Sequence, residues 1–121
     1  MARIASEPPP NAGLGVLRRD ETGWKPTGFA GVTYRKLYFD KSTGLMTTLL
    51  KLEPGSKWPG HYHRKAEQCL ILEGEIRHPD GTYRSGDFIW AETGSTDPLT
   101  TTTTGALLLI ISDPADEFIE A

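Results

Sequence analysis

Residues 54–74 read PGSKWPGHYHRKAEQCLILEG, and this stretch carries most of the information about the fold. His61 and His63 stand two residues apart. Because side chains alternate between the two faces of a β-strand, this spacing places both imidazole rings on one face. Glu67 has the same parity, with a possible turn at residues 64–66 between them. Two imidazoles and one carboxylate form a facial set that can hold a divalent metal ion and leave positions open.

The alternative interpretation is that two surface histidines fall two residues apart by chance. The surroundings favour the metal site, because a Pro-Gly turn at residues 54–55 precedes the histidines and a β-rich run follows them.

Short β-rich runs separated by turn residues fill the chain from about residue 32 onward. No window shows a sustained 3.6-residue apolar period, so the sequence predicts an all-β sandwich or small barrel. Pro79-Asp80-Gly81 predicts a tight hairpin turn, because Asp-Gly accepts the positive φ values that such a turn requires. Thr100 to Thr104 are predicted to be plain strand, with hydroxyls lining a pocket as the alternative. The predicted strands are Val32–Phe39, Leu45–Leu52, Gln68–Leu72, Gly74–His78, Asp87–Ala91, and one or two within Thr101–Ser112.

Length and composition exclude several classes of protein. The 121 residues suit one domain, predicted over residues 21–121 after a flexible, proline-containing arm over residues 1–20. The net charge of -3 argues against nucleic-acid binding, and one cysteine excludes an intramolecular disulfide framework.

The longest apolar run, residues 106–111, is far below the about 20 residues of a membrane span. With no signal-peptide pattern, we expect a cytoplasmic protein that binds neither membrane nor nucleic acid.

The spacing Gly55-x5-His61-x-His63-x3-Glu67-x6-Gly74 resembles the first motif of the cupins. Over about residues 20–113 the chain is similar to cupins like the C-terminal domain of the zinc-binding anti-sigma factor of photosynthetic bacteria. The resemblance implies a small β-barrel (a double-stranded β-helix, or jelly roll) of two packed sheets, with a divalent metal ion inside. Dimers are common among cupins.

The second cupin motif is degenerate. Gly86 and Gly94 are present, but Glu92 replaces a proline and Asp97 stands where the family has its last metal-binding histidine. As a fourth ligand, Asp97 would make the site harder and favour iron or manganese over zinc. As a non-ligand, it is a turn residue before Pro98. A third interpretation is that the metal site has decayed. His78, the one remaining histidine, is predicted to be a surface imidazole at a hairpin tip.

Other side chains have weaker functional indications. Cys69 shares the parity of Glu67 and is interpreted as a small buried hydrophobe, with a thiol near the metal as the alternative. Trp58 and Trp90 could wall a pocket or fill core or interface. Glu92 is expected to be an exposed carboxylate.

Tyr62 is expected to point away from the metal, because it has the opposite parity to the histidines. Leu70 and Leu72 are expected to face the outside of the barrel, where apolar side chains need cover from a second sheet or a second subunit. This pattern favours a homodimer.

The leading hypothesis is a metal-dependent enzyme that acts on a small organic molecule, with His61, His63 and Glu67 holding iron, manganese or zinc and Asp97 as the fourth ligand in one of its two interpretations. The resemblance permits dioxygenase activity, since relatives cleave carbon–carbon bonds in diketone-like or hydroxyketone substrates. No separate catalytic residue is assigned. The alternatives are a metal-binding sensor, although 121 residues leave no room for a helical sigma-binding domain, and a metal-free barrel that binds a small ligand.

Overall fold

The computed structural model describes residues 13–114 and 117–118, and these residues form an all-β structure with no helix. The predicted all-β class is confirmed. The described part of the chain therefore holds no helix long and apolar enough to cross a membrane. The strands are β1 Lys25–Pro26, β2 Val32–Asp40, β3 Leu45–Leu52, β4 Lys57–Trp58, β5 His61–Tyr62, β6 Glu67–His78, β7 Gly81–Arg84, β8 Phe88–Ala91, β9 Thr96–Asp97, β10 Thr100–Thr101, β11 Ala106–Ser112 and β12 Glu117–Phe118.

The strands form two antiparallel sheets. The larger has the order β1-β2-β3-β11-β6-β10-β4, with β7 and β8 also paired to β6. The smaller has the order β12-β5-β9. Along the long strands every second side chain points to the enclosed face of the sheet, and the apolar ones among these form the core. Its fully enclosed members include Val32, Leu50, Leu52, Ile71, Ile76 and Leu108, and burying each such side chain contributes about 1.5–3 kcal/mol.

Strand β6 is the centre of the fold. It joins the two predicted segments, 68–72 and 74–78, into one twelve-residue strand. Its first half pairs with β11 and β8, and its second half pairs with β7 and β10. Gly74 lies at the junction with φ of 77°, a left-handed conformation that favours glycine. Across this residue the buried side chains of β6 change from the odd positions Glu67, Cys69 and Ile71 to the even position Ile76.

Two local predictions need correction. The hairpin after β6 is where the sequence predicts it, but its two loop residues are Pro79 and Asp80, and Gly81 already pairs with His78. Neither Asp80 nor Gly81 has positive φ, so the turn does not use the predicted Asp-Gly conformation, and Pro79, whose ring restricts φ to about −65°, occupies the first loop position.

The threonine run is the second correction. Only Thr100 and Thr101 are strand, and residues 102–104 form a loop. The loop closes around the Glu75 carboxylate. Glu75 Oε1 accepts hydrogen bonds from the backbone N–H groups of Thr103 at 2.7 Å and Thr104 at 3.0 Å. The Thr102 hydroxyl donates to the Glu75 backbone carbonyl at 2.6 Å and shares the same hydrogen more weakly with Oε1 at 3.1 Å. A charged acceptor for several donors therefore overrides the strand propensity of threonine.

Replacing Glu75 with glutamine is expected to lower the free energy of unfolding by about 1–2 kcal/mol at neutral pH. The Thr104 backbone N–H, ahead of the Thr103 N–H and the Thr102 hydroxyl, lowers the pKa of Glu75 from 4.5 to about 2 despite its burial. A carboxylate with a depressed folded-state pKa stabilises the fold above its unfolded pKa, and this stabilisation is lost as the pH falls toward the folded one.

Urea unfolding at pH 7 and at pH 3 measures this effect. The difference between wild type and Glu75→Gln should shrink at pH 3. Glu73→Gln, an exposed neighbour on the same strand, serves as the control and should match wild type. A pH-independent difference at position 75 would contradict the role of the charge.

The outer face of the large sheet carries exposed apolar side chains. Leu70 is half-buried, Leu72 is exposed, and Phe88 and Trp90 are 49% and 65% exposed with their rings stacked 6.2 Å apart. The predicted outward direction of Leu70 and Leu72 agrees with these positions. The homodimer that would cover this face stays a prediction.

The predicted N-terminal arm lies partly outside the described residues, which begin at Gly13. Residues 13–20 contain no strand. Arg35 of β2 donates to the Arg18 carbonyl at 3.0 Å and to the Thr22 hydroxyl at 2.9 Å, so the chain contacts the sheet before β1 begins. The boundary at residue 20 stays a prediction.

Candidate metal centre

Strand alternation around β5 places the two histidines of the HxH pair inside the molecule. His61 is 6% exposed and His63 is fully buried, whereas Tyr62 between them is 44% exposed. Residues 64–66 form an exposed bend, and Glu67 then opens β6 with its side chain buried. The predicted inward parity of His61, His63 and Glu67 and the outward direction of Tyr62 therefore agree with the structure.

Asp97 reaches the same place from the neighbouring strand. In the antiparallel pair β5–β9, Asp97 lies directly opposite His61. The pairing continues beyond the strands, since the His63 N–H donates to the Ser95 carbonyl at 2.9 Å and the Gly94 N–H donates to the His63 carbonyl at 2.8 Å. Directly opposed residues project to the same face of a sheet, so the Asp97 carboxylate points toward the imidazoles.

The four side chains converge on one point. Their nitrogen and oxygen donor atoms lie within 4.8 Å of one another. His63 Nε2 lies 3.1 Å from His61 Nε2, 3.0 Å from Glu67 Oε2 and 3.3 Å from Asp97 Oδ2. His61 Nε2 lies 3.5 Å from Glu67 Oε1 and 3.2 Å from Asp97 Oδ2. Neighbouring ligands at about 2.1 Å from a shared ion are about 3.0 Å apart at right angles and about 3.4 Å apart at tetrahedral angles. These separations fit one ion.

Hydrogen bonds on the far side of each ring determine which nitrogen carries the proton. The Ser95 hydroxyl donates its single hydrogen to the Glu92 carbonyl at 2.6 Å, so it can only accept from His63 Nδ1 at 3.0 Å. The Pro59 carbonyl likewise can only accept from His61 Nδ1, at 3.3 Å. In the neutral rings both Nε2 atoms are therefore unprotonated, and their lone pairs face each other and two carboxylates. Such a set of acceptors needs a cation.

The ionisation of the cluster reflects this crowding of acceptors. Burial and the neighbouring Glu67 charge raise the pKa of Asp97. Burial disfavours the charged forms of both Glu67 and His61. The hydrogen bond and the charge attraction between these two side chains favour the charged forms and outweigh the effect of burial. The pKa of Glu67 is therefore lowered, and that of His61 is raised. Without a metal ion, a proton is thus the cation drawn into the site.

Two chambers border the cluster. The inner chamber has a volume of about 30 Å³, and the outer chamber has a volume of about 140 Å³. Among the described residues, neither is lined by a lysine or an arginine. A larger groove of about 350 Å³ lies near residues 51–54 and 104–107 and touches none of the four donor side chains.

The remaining predicted residues occupy three kinds of position. Trp58 is half-buried and lines both chambers, whereas Trp90 is exposed and lines neither. Glu92 is exposed, as expected.

Cys69 is buried and lines the inner chamber. Burial, reinforced by the Glu67 and Asp97 charges, raises the pKa of the Cys69 thiol to about 12, so the thiol stays protonated near neutral pH and behaves as a small hydrophobe.

The prediction for His78 is wrong. Its ring is half-buried and lines the inner chamber together with His61 and Asp97. Its Nε2 lies 2.9 Å from the Thr100 hydroxyl, and its ring packs edge-on against Tyr83. Beyond Gly74 the buried face of β6 passes to the even positions, so His78 lies on the same face as the buried Ile76, and a hairpin position alone does not show this.

Sequence reasoning missed the groups that orient the imidazoles. Ser95 and the Pro59 carbonyl hold the Nδ1 atoms of His63 and His61. Both have weak signals in the sequence. Pro59 precedes the histidine pair, and Ser95 has the same parity as Asp97, but neither spacing indicates a hydrogen bond to an imidazole.

Comparison with known proteins places the chain in a family. A family model described as the ChrR cupin-like domain matches residues 14–115. The chain belongs to this cupin family. No curated protein matches it.

Three solved structures illustrate the similarity of this cupin to known folds. An acetylacetone dioxygenase from Acinetobacter johnsonii is 14% identical with a TM-score of 0.74, and the match covers 98% of this chain and 85% of that one. A putative acetylacetone dioxygenase from Methylibium petroleiphilum is 15% identical with a TM-score of 0.76, and the match covers 99% of this chain and 85% of that one. A chain of the complex between SigE and the anti-sigma ChrR of Rhodobacter sphaeroides is 23% identical with a TM-score of 0.66, and the match covers 79% of this chain and 51% of that one. At these identities the likeness shows the cupin fold alone.

Proposed function

We propose that this cupin is a divalent-metal-dependent enzyme that acts on a small organic molecule, with His61, His63, Glu67 and Asp97 holding the ion. The observation that carries the proposal is the set of two Nε2 lone pairs and two carboxylates that converge with separations of 3.0–3.5 Å. A decayed site would not be expected to keep both neutral imidazoles with the proton on Nδ1 and the Nε2 lone pair available to a metal ion. Asp97 therefore acts as a ligand in this proposal, and not only as a turn residue.

The donor set favours iron(II) or manganese(II) over zinc. Two carboxylates balance the charge of a divalent ion, and their hard oxygen atoms suit iron and manganese better than a set rich in nitrogen or sulfur does. Four protein donors leave two positions of a six-coordinate ion for substrate and a second ligand. The bound ion would act as a Lewis acid or a redox centre on the substrate.

The chain itself supplies positioning and a dry surface. Met46, Leu50, Trp58 and Ile110 give the outer chamber apolar walls, and these walls would exclude water around the carbon skeleton of a substrate. Ser95 fixes the His63 ring so that its lone pair stays aimed at the ion. The finer proposal is a dioxygenase. It is supported by the open positions, the apolar chamber and the similarity to an acetylacetone dioxygenase.

Metal analysis of protein purified without chelator or polyhistidine tag tests the site. About one iron, manganese or zinc ion per chain is expected in wild type, none in His61→Ala/His63→Ala, and a reduced amount in Asp97→Asn. The exposed neighbour Tyr62→Phe is the control and should keep the ion. Wild type that stays metal-free after reconstitution with iron(II) would contradict the proposal and favour the metal-free ligand-binding barrel.

Oxygen uptake by the iron-loaded protein with acetylacetone and related small 1,3-diketones then tests the dioxygenase proposal. Uptake that requires both substrate and His63 supports it. A protein that binds metal but turns over no member of the panel would not support it. Specific capture of a protein partner by that metal-bound form would instead support a metal-binding sensor, the candidate favoured by the similarity to the anti-sigma ChrR complex.

A further inference from the structure

Two separate chambers meet at one wall beside the metal cluster. Trp58, His61, Glu67 and Ile110 border both chambers. Beyond this wall, the inner chamber extends toward β6, β8 and β10, and the outer chamber extends toward β3 and the end of β11. The inner chamber adds Cys69, Ile76, His78, Ile89, Asp97, Thr100 and Leu108, and the outer adds Met46, Leu50, Ser112, Asp113 and Pro114.

The sizes of the chambers separate the ligands that each can take. One water molecule needs roughly 10–15 Å³ of such cavity volume. The inner chamber, at about 30 Å³, therefore has room for about two or three non-hydrogen atoms, which is too little for a branched or cyclic organic molecule. The outer chamber, at about 140 Å³, has the volume for a small carbon skeleton.

The inner chamber also has a polar end. The His78 imidazole and the Thr100 hydroxyl lie 2.9 Å apart there. The edge-on Tyr83 ring supports the imidazole from the side. Ile76, Ile89 and Leu108 make up the apolar wall around these two polar groups.

We propose that the chambers divide the ligands of the site: the inner chamber takes a diatomic ligand beside His78 and Thr100, and the outer chamber takes the organic molecule. This inference rests on the proposed metal-dependent function. It assigns His78 the role of contacting the smaller ligand and Leu50 the role of contacting the larger one. It also explains how one cluster could serve two ligands without their competing for space.

Nitric oxide binding to the iron(II)-loaded protein, followed anaerobically by electron paramagnetic resonance, tests the proposal. Ile89→Phe fills the inner chamber, and Leu50→Phe is the matched substitution in the outer one. The expected result is at least about a tenfold loss of nitric oxide affinity in Ile89→Phe and a change of less than about twofold in Leu50→Phe. Such a tenfold loss corresponds to about 1.4 kcal/mol.

Iron content is measured for each protein first. If Ile89→Phe does not hold iron, Cys69→Leu fills the same chamber from β6 and carries the same expectation. Equal nitric oxide affinity in all iron-loaded proteins, or a loss confined to Leu50→Phe, would overturn the division of ligands while leaving the metal-dependent function intact. A wild type that binds no iron would overturn both.

Discussion

Iron(II) added to metal-depleted protein is expected to raise its free energy of unfolding by about 4 kcal/mol when the free metal stands about 1,000-fold above its dissociation constant. The physical reason is that the ion binds the folded cluster and not the unfolded chain, in which the four donors are far apart. In the folded protein the donors already face one another at 3.0–3.5 Å. The ion takes the place of the proton that the metal-free cluster attracts, and it neutralises the two lone pairs and two carboxylates together.

Anaerobic urea unfolding with and without iron(II) measures this stabilisation. His61→Ala/His63→Ala should show none of it, because both nitrogen donors are lost. His78→Ala is the matched control, since it removes an imidazole from the chamber wall but not from the cluster. It should keep most of the stabilisation. Equal stabilisation of the double variant and wild type would place the bound metal elsewhere.

Replacing Gly74 with alanine is expected to lower the free energy of unfolding by about 3 kcal/mol or more. The backbone here has φ of 77°, and a Cβ atom would lie 1.9 Å from the Gly105 carbonyl oxygen. That oxygen accepts a hydrogen bond from the Glu75 N–H at 3.1 Å, so it cannot move away without breaking the pairing of β6 with the loop before β11. The clash therefore involves backbone on both sides.

Two other glycines separate the causes of this effect. Gly86 has φ of 94° with no atom within 4 Å of a built Cβ, so Gly86→Ala should cost only about 1 kcal/mol from its dihedral angle. Gly81 has neither positive φ nor a close neighbour, so Gly81→Ala should match wild type. Urea unfolding of the three variants gives the comparison. If Gly74→Ala costs no more than Gly86→Ala, the close approach of residue 105 is not what requires glycine.

The sequence pattern alone predicted correctly those structural properties that depend on near neighbours in the chain. The spacing of His61, His63 and Glu67 gave their common inward direction, because strand alternation needs no distant contact. The β-rich runs likewise gave the all-β class. The same reasoning was insufficient for the threonine run. Intrinsic strand propensity favours a strand at Thr102, but the carboxylate of Glu75 offers stronger hydrogen bonds and holds the segment as a loop.

The fourth side chain of the cluster shows where local reasoning ends. The sequence left Asp97 open between a ligand and a turn residue, since a missing histidine can be replaced or simply lost. The register of β5 against β9 places Asp97 opposite His61. Two-residue strands have too little pattern of their own to specify such a register. Asp97 as a metal ligand remains a proposal, but its position beside both imidazoles is a property of the fold.

The amino-acid order alone was therefore enough for the all-β class, the inward histidine pair and its glutamate, because these follow from patterns among near neighbours in the chain, and its resemblance to a known family indicated the cupin class. Only the tertiary structure brought Asp97 to the pair, turned His78 into the inner chamber and set the Nδ1 hydrogen bonds of His61 and His63. The physical reason is that these three features depend on pairing between segments distant in sequence. That pairing is decided by closure of the two sheets around a shared core and not by the preference of any single residue.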